Sequence, residues 1–452
     1  FTLYLPIAYK EGAIKAVSEK QQQETIHLPS PSGEPAMPIS VPDLSLVRQS
    51  EVEDDRDNIQ PSDRVLLIVE DYAPFAGSLL EVAHQAGFKG LIALRANTAL
   101  VLAKKIGPAA ITLDLKLPDM DGWALLDLLK HDPDTRHIPL WVVSGGDHRE
   151  RALRMGAFGY LEKPTHKDAL GQALSSMRDF AARDYRNLLI VEGDAIETVE
   201  IVALLGGSDI RTVTVRSGKD ALAALAAESF DCVLADRKFN DMSALDLAEK
   251  ICATERSPNL PVVIYGKTAL TKKDLGRIAK LSPWLVVRRA TSAQELLNET
   301  TLLLHRSLQT LPGDQRELIE SAQRVPAELA GKKVLVVDDD IRNIFALTSV
   351  LEQHGMTVVY AENGKDGITL LESTQDIEVV LMDVMMPEMD GYDTMRIIRK
   401  LDEFKDLPMI ALTAKAMKGD REKCIEAGAS DYIAKPVNIE QLISLLRVCL
   451  TH

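Results

Sequence analysis

The strongest constraint in this chain is a pattern that occurs three times: a short apolar run ending in acidic residues. The first set of runs is Arg64-Val-Leu-Leu-Ile-Val-Glu-Asp71, Asn187-Leu-Leu-Ile-Val-Glu-Gly-Asp194 and Lys333-Val-Leu-Val-Val-Asp-Asp-Asp340. A second apolar run follows each of these and also ends in an acid, at Asp114, Asp236 and Asp383. The spacings agree: 43 positions from Asp71 to Asp114, 43 from Gly193 to Asp236 and 44 from Asp339 to Asp383. Self-similarity at this period means a tandem array of one fold. Runs this short, apolar throughout and flanked by turn residues read as buried strands of parallel sheets. Helical patterns fill the gaps, as in Trp123 to Lys130 and Tyr392 to Lys400, with apolar residues three and four apart. Alternating strands and helices give an α/β fold with both faces of the sheet covered.

The stretch Leu381-Met-Asp-Val-Met-Met-Pro-Glu-Met-Asp-Gly391 carries the chemistry. Pro387 stops the strand and Asp390-Gly391 makes a turn, so Asp383 lies at the carboxyl end of the strand. In open α/β sheets that end faces the ligand crevice. If the two strands lie side by side and parallel, Asp338, Asp339 and Asp383 converge on one point. Acids packed together repel unless a cation joins them, and hard oxygen ligands suit Mg2+. Two further strands end at Thr413 and at Lys435-Pro436. A hydroxyl donor and an ammonium are what a transferred phosphoryl group requires.

Acidic pair, acid, hydroxyl and Lys-Pro, each after a strand, resemble the receiver domain of response regulators. The resemblance implies a flavodoxin-like (βα)5 domain with a five-stranded parallel sheet in the order 2-1-3-4-5. It also implies that Asp383 accepts a phosphoryl group from a phosphohistidine. By the same analogy Asp338, Asp339, Asp383 and the backbone carbonyl of Met385 hold Mg2+, Lys435 contacts the phosphoryl group, and Thr413 carries the switch. Tyr432 matches the aromatic that moves with the switch loop in receivers.

The first repeat, 63–182, has the complete set. Glu70, Asp71, Asp114 and the carbonyl of Lys116 are the implied metal ligands, with Ser144 and Lys163 as hydroxyl and cation and Tyr160 as the aromatic. Ser144 follows Asp114 by 30 positions, as Thr413 follows Asp383. The middle repeat, 186–305, is degenerate. Gly193 replaces the second acid, Gly266 replaces the hydroxyl, and no Lys-Pro follows Trp284 to Ala290. Asp194 swinging in as a ligand, or Arg288 replacing the lysine, would be a route to activity there. Guanidinium and ammonium are not interchangeable at such a site, so the middle repeat is expected to stay unphosphorylated. The third repeat spans 332–452.

Residues 1–9 resemble the last strand of a sensor-kinase ATP-binding domain, and the chain opens on Phe1 rather than Met. The expectation is therefore a hybrid histidine kinase cut off upstream. Residues 10–62 hold Gln21-Gln-Gln23, five prolines from Pro29 to Pro42 and a charged run, and are expected to be a flexible linker. Lys167 to about Arg186 reads as helical, a stiff joint between the first two repeats. Residues 306–331, with Pro312, Gly313 and Pro326 around a polar helix, read as a looser linker. No phosphoacceptor-helix histidine motif and no Gly-rich ATP lid is present, so the chain is not expected to use ATP itself. His305 reads as a helix-surface residue.

The net charge of −15 argues against nucleic acid or an anionic membrane as partner. Four widely spaced cysteines without a CxxC read as free thiols of a reducing cytoplasm. The expected partners are a phosphohistidine donor, either a kinase dimerisation domain or a histidine phosphotransfer protein, and a downstream regulator. A docking or inhibitory scaffold with little phosphorylation is the alternative. An aspartyl-phosphate hydrolase would need an Asp two residues past the acceptor, where Met385 and Lys116 stand.

Overall fold

The computed structural model describes residues 52–254, 259–266, 270–281, 285–324, 328–414 and 420–450. The kinase-like strand expected at residues 1–9, most of the linker expected at 10–62, Trp284 and Pro326 lie outside them.

The first repeat runs β1 (Val65–Val69), α1 (Ala73–Gln85), β2 (Lys89–Ala93), α2 (Ala96–Ile106), β3 (Ala110–Leu113), α3 (Gly122–His131), β4 (Leu140–Ser144), α4 (Arg149–Arg154), β5 (Gly159–Glu162) and α5 (Lys167–Ala181). The middle repeat runs β6 (Arg186–Val191), α6 (Ala195–Leu205), β7 (Ile210–Val215), α7 (Gly218–Ala227), β8 (Cys232–Asp236), α8 (Ala244–Ala253), β9 (Val262–Tyr265), α9 (Lys272–Leu281), β10 (Val287–Ala290) and α10 (Ala293–Leu303). Helix α11 (Gly313–Arg324) precedes the third repeat. That repeat runs β11 (Lys333–Val337), α12 (Ile341–Gln353), β12 (Thr357–Ala361), α13 (Gly364–Ser373), β13 (Ile377–Asp383), α14 (Gly391–Lys400), β14 (Met409–Thr413), α15 (Asp420–Glu426), β15 (Asp431–Ala434) and α16 (Ile439–Leu450).

Each repeat builds one five-stranded sheet: β2-β1-β3-β4-β5, β7-β6-β8-β9-β10 and β12-β11-β13-β14-β15. Every pairing is parallel. The central strands β1, β3, β13 and β14 are buried along nearly their whole length, because helices cover both faces. This is the expected 2-1-3-4-5 order, and it puts the ends of strands 1 and 3 side by side at the switch point.

The Asp-Gly pairs do more than turn the chain. Asp121 caps α3 by accepting from Trp123 N at 2.7 Å, and Asp390 caps α14 by accepting from Asp393 N at 2.8 Å. The following glycine sits against backbone: a Cβ on Gly391 would lie 2.1 Å from the Asp383 carbonyl oxygen, and one on Gly122 2.4 Å from Leu115 Cα. Only glycine lets these helices start this close to the acceptor strand.

Three expectations need correction. The last part of the expected flexible linker, residues 52–62, is packed on the edge of the first sheet. Gly90 N and Ile92 N donate to Asp55 Oδ2 and Asp54 Oδ2 at 2.7 and 3.0 Å, and Asp55 N donates to Gly90 O at 3.0 Å. This segment satisfies the open edge of β2, which polarity alone did not reveal. The expected looser linker at 306–331 contains α11, which packs on α10; Leu308, Leu311 and Ile319 join the core of the middle repeat. Sparse apolar residues on a polar helix hid that seam. His305 is buried, not on a helix surface, with ring centroids 5.5 Å from both Phe158 and Phe180 of the first repeat. Burial holds its imidazole far below the usual pKa, so it is neutral. The helix expected from Lys167 to about Arg186 ends at Ala181, and β6 begins at Arg186, so four residues join the first two repeats.

Candidate functional site

In the third repeat, strands β11 and β13 pair in register with Val337 opposite Met382. Asp338 and Asp383, one residue further on, therefore meet at the same end of the sheet. They are 0% and 3% exposed, while Asp339 is exposed. Lys435, at the end of β15, bridges the buried pair: its Nζ lies 2.8 Å from Asp338 Oδ2 and 2.8 Å from Asp383 Oδ2. Met385 N donates to Asp383 Oδ1 at 3.2 Å. Burial pushes the Asp383 carboxyl up despite the opposing pull of Lys435. Burial works to lower the Lys435 ammonium, but the two carboxylates outweigh it and raise it. Thr413 is buried at the end of the intervening strand, β14.

The first repeat has the same cup. Lys163 Nζ donates to Glu70 Oε2 at 2.6 Å and to Asp114 Oδ2 at 2.7 Å. Burial raises Glu70 to about 6, against the lowering effect of Lys163. Lys116 N donates to Asp114 Oδ1 at 3.3 Å, and Ser144 is buried at the end of β4. The Tyr160 hydroxyl donates to Gly146 O in the loop after Ser144. In both cups the acids form a set whose carboxylate oxygens lie within 4.8 Å of one another: Glu70, Asp71 and Asp114, and Asp338, Asp339 and Asp383. Among the described residues these are the two such sets. All-oxygen donors, two buried and one open to solvent, fit a hard divalent cation that keeps part of its water.

The middle repeat lacks this cup. Asp236 ends β8 in register with the other acceptors, and Glu192 is 3% exposed beside it. Among the described residues neither acid has an ion-pair partner, and Glu192 Oε2 is buried without a hydrogen bond. Burial raises the Glu192 carboxyl, which favours the neutral form. Both residues that could rescue the site are engaged elsewhere. Asp194 is fixed as the cap of α6, accepting from Ile196 N at 2.7 Å. Arg288 points to the first repeat, donating to Arg154 O with its Nε 3.5 Å from Glu299. The strand register identifies the true counterpart of the lysine. Tyr265, opposite Asp236, pairs with Ala290 just as Leu412 pairs with Ile433, so Ser292 stands where Lys435 stands.

Two supporting residues escaped sequence reasoning. Asn343 donates to Asp338 Oδ1 and Oδ2 at 3.1 and 3.3 Å from the first turn of α12. Asp119 accepts from Ala96 N and Asn97 N at 2.8 and 3.0 Å, tying the loop after Asp114 to the start of α2. Asp241 does the same for Gly218 and Lys219 in the middle repeat. The recurrence of Asp119-Met120 as Asp241-Met242 was the available signal.

A buried acid pair bridged by one lysine, at the switch point of a 2-1-3-4-5 sheet, defines a class of signalling domain. The chain belongs to the response regulator receiver family: the model of the response regulator receiver domain matches residues 66–175 and 334–447, which hold the two complete cups. Protein PilH of Pseudomonas aeruginosa is 37% identical over 118 residues, 26% of this chain and 97% of PilH. Histidine kinase 3 of Arabidopsis thaliana is 33% identical over 134 residues, 25% of this chain but only 13% of that kinase. Among solved structures, the receiver domain of sensor histidine kinase PA1611 from Pseudomonas aeruginosa, with a magnesium ion in its active-site cleft, is 34% identical. It covers 27% of this chain and 100% of that one, with a TM-score of 0.26. The repeats are hereafter receivers 1, 2 and 3. No helix among the described residues is long and apolar enough to cross a membrane.

Proposed function

We propose that receivers 1 and 3 accept phosphoryl groups from phosphohistidine onto Asp114 and Asp383, as the receiver array of a cytoplasmic hybrid histidine kinase. The observation that supports this best is the duplicated cup, in which one ammonium is held against two buried carboxylates in each receiver. Glu70, Asp71 and Asp114, or Asp338, Asp339 and Asp383, with the carbonyls of Lys116 and Met385, would hold Mg2+. When bound, the ion supplies charge neutralisation for the incoming anionic donor.

A carboxylate oxygen of the acceptor attacks phosphorus. The P–N bond to the imidazole breaks, a P–O bond forms, and the departing imidazole takes up a proton. Lys435 and Lys163 stabilise charge on the transferred oxygens. Ser144 and Thr413 donate to the new phosphoryl group and carry the change to the loops beyond. Receiver 2, with Ser292 in place of the lysine, acts as a docking module. Arg136 of receiver 1 supports this by donating to Asn298 Oδ1 of α10 at 2.9 Å.

The test is phosphotransfer from a phosphorylated histidine phosphotransfer protein with Mg2+. At exposures long enough to label both sites, Asp383→Asn and Asp114→Asn should each remove one labelled site, and chelation of Mg2+ should remove both. An unlabelled intact chain would support the scaffold reading instead.

A further inference from the structure

The acceptor crevice of receiver 1 is not bounded by receiver 1 alone. A cavity of about 870 Å³ lies over it, lined by Asp71, Lys116 and Ser144 of receiver 1 and by Arg421, Tyr432 and Gln441 of receiver 3. Receiver 3 is anchored there through α16. Arg447 Nε and Nη2 donate to Asp127 Oδ2 at 2.9 and 2.5 Å, and Ser444 Oγ donates to Ala124 O at 2.9 Å. Arg151 Nη2 returns a bond to Val448 O at 3.3 Å. Asp127 is 5% exposed and Ser444 is 0% exposed, so these contacts are dry. Leu442, Leu445 and Leu446 share one apolar core with Leu125, Leu126 and Leu129 of α3.

The contact reaches the crevice rim. The Tyr432 hydroxyl lies 3.4 Å from Pro118 O, in the loop after Asp114, and Arg421 Nη2 lies 3.9 Å from Asp121 Oδ2. Tyr432 also belongs to β15, which ends one residue before Lys435, so the covering surface is continuous with the cup of receiver 3. Among the described residues the rim of that second cup is open: Met385, two residues past Asp383, is 60% exposed, and Ile341 and Phe345 on α12 are 51% and 77% exposed.

We propose that receiver 3 gates receiver 1: the β15–α16 face docks over the crevice, slows the access of a protein phosphodonor to Asp114, and leaves Asp383 the first acceptor. The proposal rests on the reading that Asp114 is an acceptor. A protein donor must bring a folded surface against the rim formed by Pro118, Asp121 and Ala124, where receiver 3 already sits. A small acyl phosphate needs only the cavity.

The experiment compares two donors, acetyl phosphate and a phosphorylated histidine phosphotransfer protein, on the full chain with Mg2+. Label is assigned to Asp114 or Asp383 by peptide mass spectrometry. Acetyl phosphate should label both sites; the protein donor should label Asp383 well ahead of Asp114. Arg447→Glu, which sets two anions against each other at Asp127, should raise Asp114 labelling by the protein donor roughly tenfold or more while leaving the acetyl phosphate rate unchanged. The charge swap Asp127→Arg with Arg447→Glu should restore the block. Ser444→Arg, which drives a long side chain into Ala124, is the second opening variant should Arg447→Glu fail to fold. Equal protein-donor labelling of Asp114 in the unaltered and opened chains overturns the gate. Failure of acetyl phosphate to label Asp114 in any of them overturns the acceptor reading of receiver 1 instead, and the gate with it.

Discussion

At the residue scale, Lys435 makes the cup of receiver 3 tolerable. Two carboxylates, 0% and 3% exposed, share one end of the sheet, and this ammonium touches both. Removing one partner of a buried ionic set leaves uncompensated charge, at a cost of roughly 3 kcal/mol. Lys435→Ala is therefore expected to lower the melting temperature of the chain, to recover part of that loss on adding Mg2+, and to slow phosphotransfer to Asp383 by roughly a hundredfold. Calorimetry with and without Mg2+ and a labelling time course would check it. A second residue-scale test concerns Gly391. With the Asp383 carbonyl 2.1 Å from any added Cβ, Gly391→Ala must push α14 off the acceptor strand. Urea unfolding should show a loss of roughly 1–3 kcal/mol, with slower acceptance at Asp383. The acids, hydroxyls and lysines of both cups were legible in the sequence, because each ends an apolar run. Asn343 and Asp119 were not, because a polar residue in a first helical turn or loop looks the same whether it faces solvent or holds a carboxylate.

At the element scale, register decides what receiver 2 lacks. Counting along the sequence pointed to Arg288, but the β9–β10 pairing puts Ser292 at the lysine position and turns Arg288 to receiver 1. A Cβ at Gly266 would meet nothing closer than 3.4 Å, so a larger residue fits there. The triple change Gly193→Asp, Gly266→Thr and Ser292→Lys is expected to rebuild an acceptor. Acetyl phosphate with Mg2+ should then label Asp236, and the unaltered chain should not label there. Losing the Ser292 cap on α10 costs this variant about 1 kcal/mol. Helix α11 illustrates the same limit. Ile319 is fully buried in the core of receiver 2, so Ile319→Ala should cost roughly 2–4 kcal/mol in chemical unfolding of that domain. A true linker residue would cost nothing.

At the scale of the whole molecule, packing of receiver 3 on receiver 1 adds to a pH dependence centred on one buried carboxyl. Asp431, at the start of β15, is 4% exposed; burial, with Asp121 of receiver 1 adding to it, raises its carboxyl to about 7. A carboxyl raised on folding stabilises the fold while protonated. That contribution is full below the unfolded pKa near 3.8 and is lost as pH rises through about 7. Melting curves of the unaltered chain should therefore fall between about pH 5 and pH 8 by an amount that Asp431→Asn removes, up to roughly 3 kcal/mol at 1.36 kcal/mol per pKa unit over the two units from pH 5 to 7.

The sequence by itself determined the three βα repeats, the sheet order through family resemblance, and the residues of two complete cups. Periodicity and fixed spacing are local properties, and a buried strand must be apolar wherever it lies in the molecule. Only the tertiary structure decided that residues 52–62 close a sheet edge, that α11 belongs to receiver 2, and that α16 lies on α3 beside the acceptor loop. Those outcomes depend on which surfaces meet. Two helices with ordinary apolar stripes carry no mark of their partner until the folded domains bring Asp127 and Arg447 within hydrogen-bonding distance.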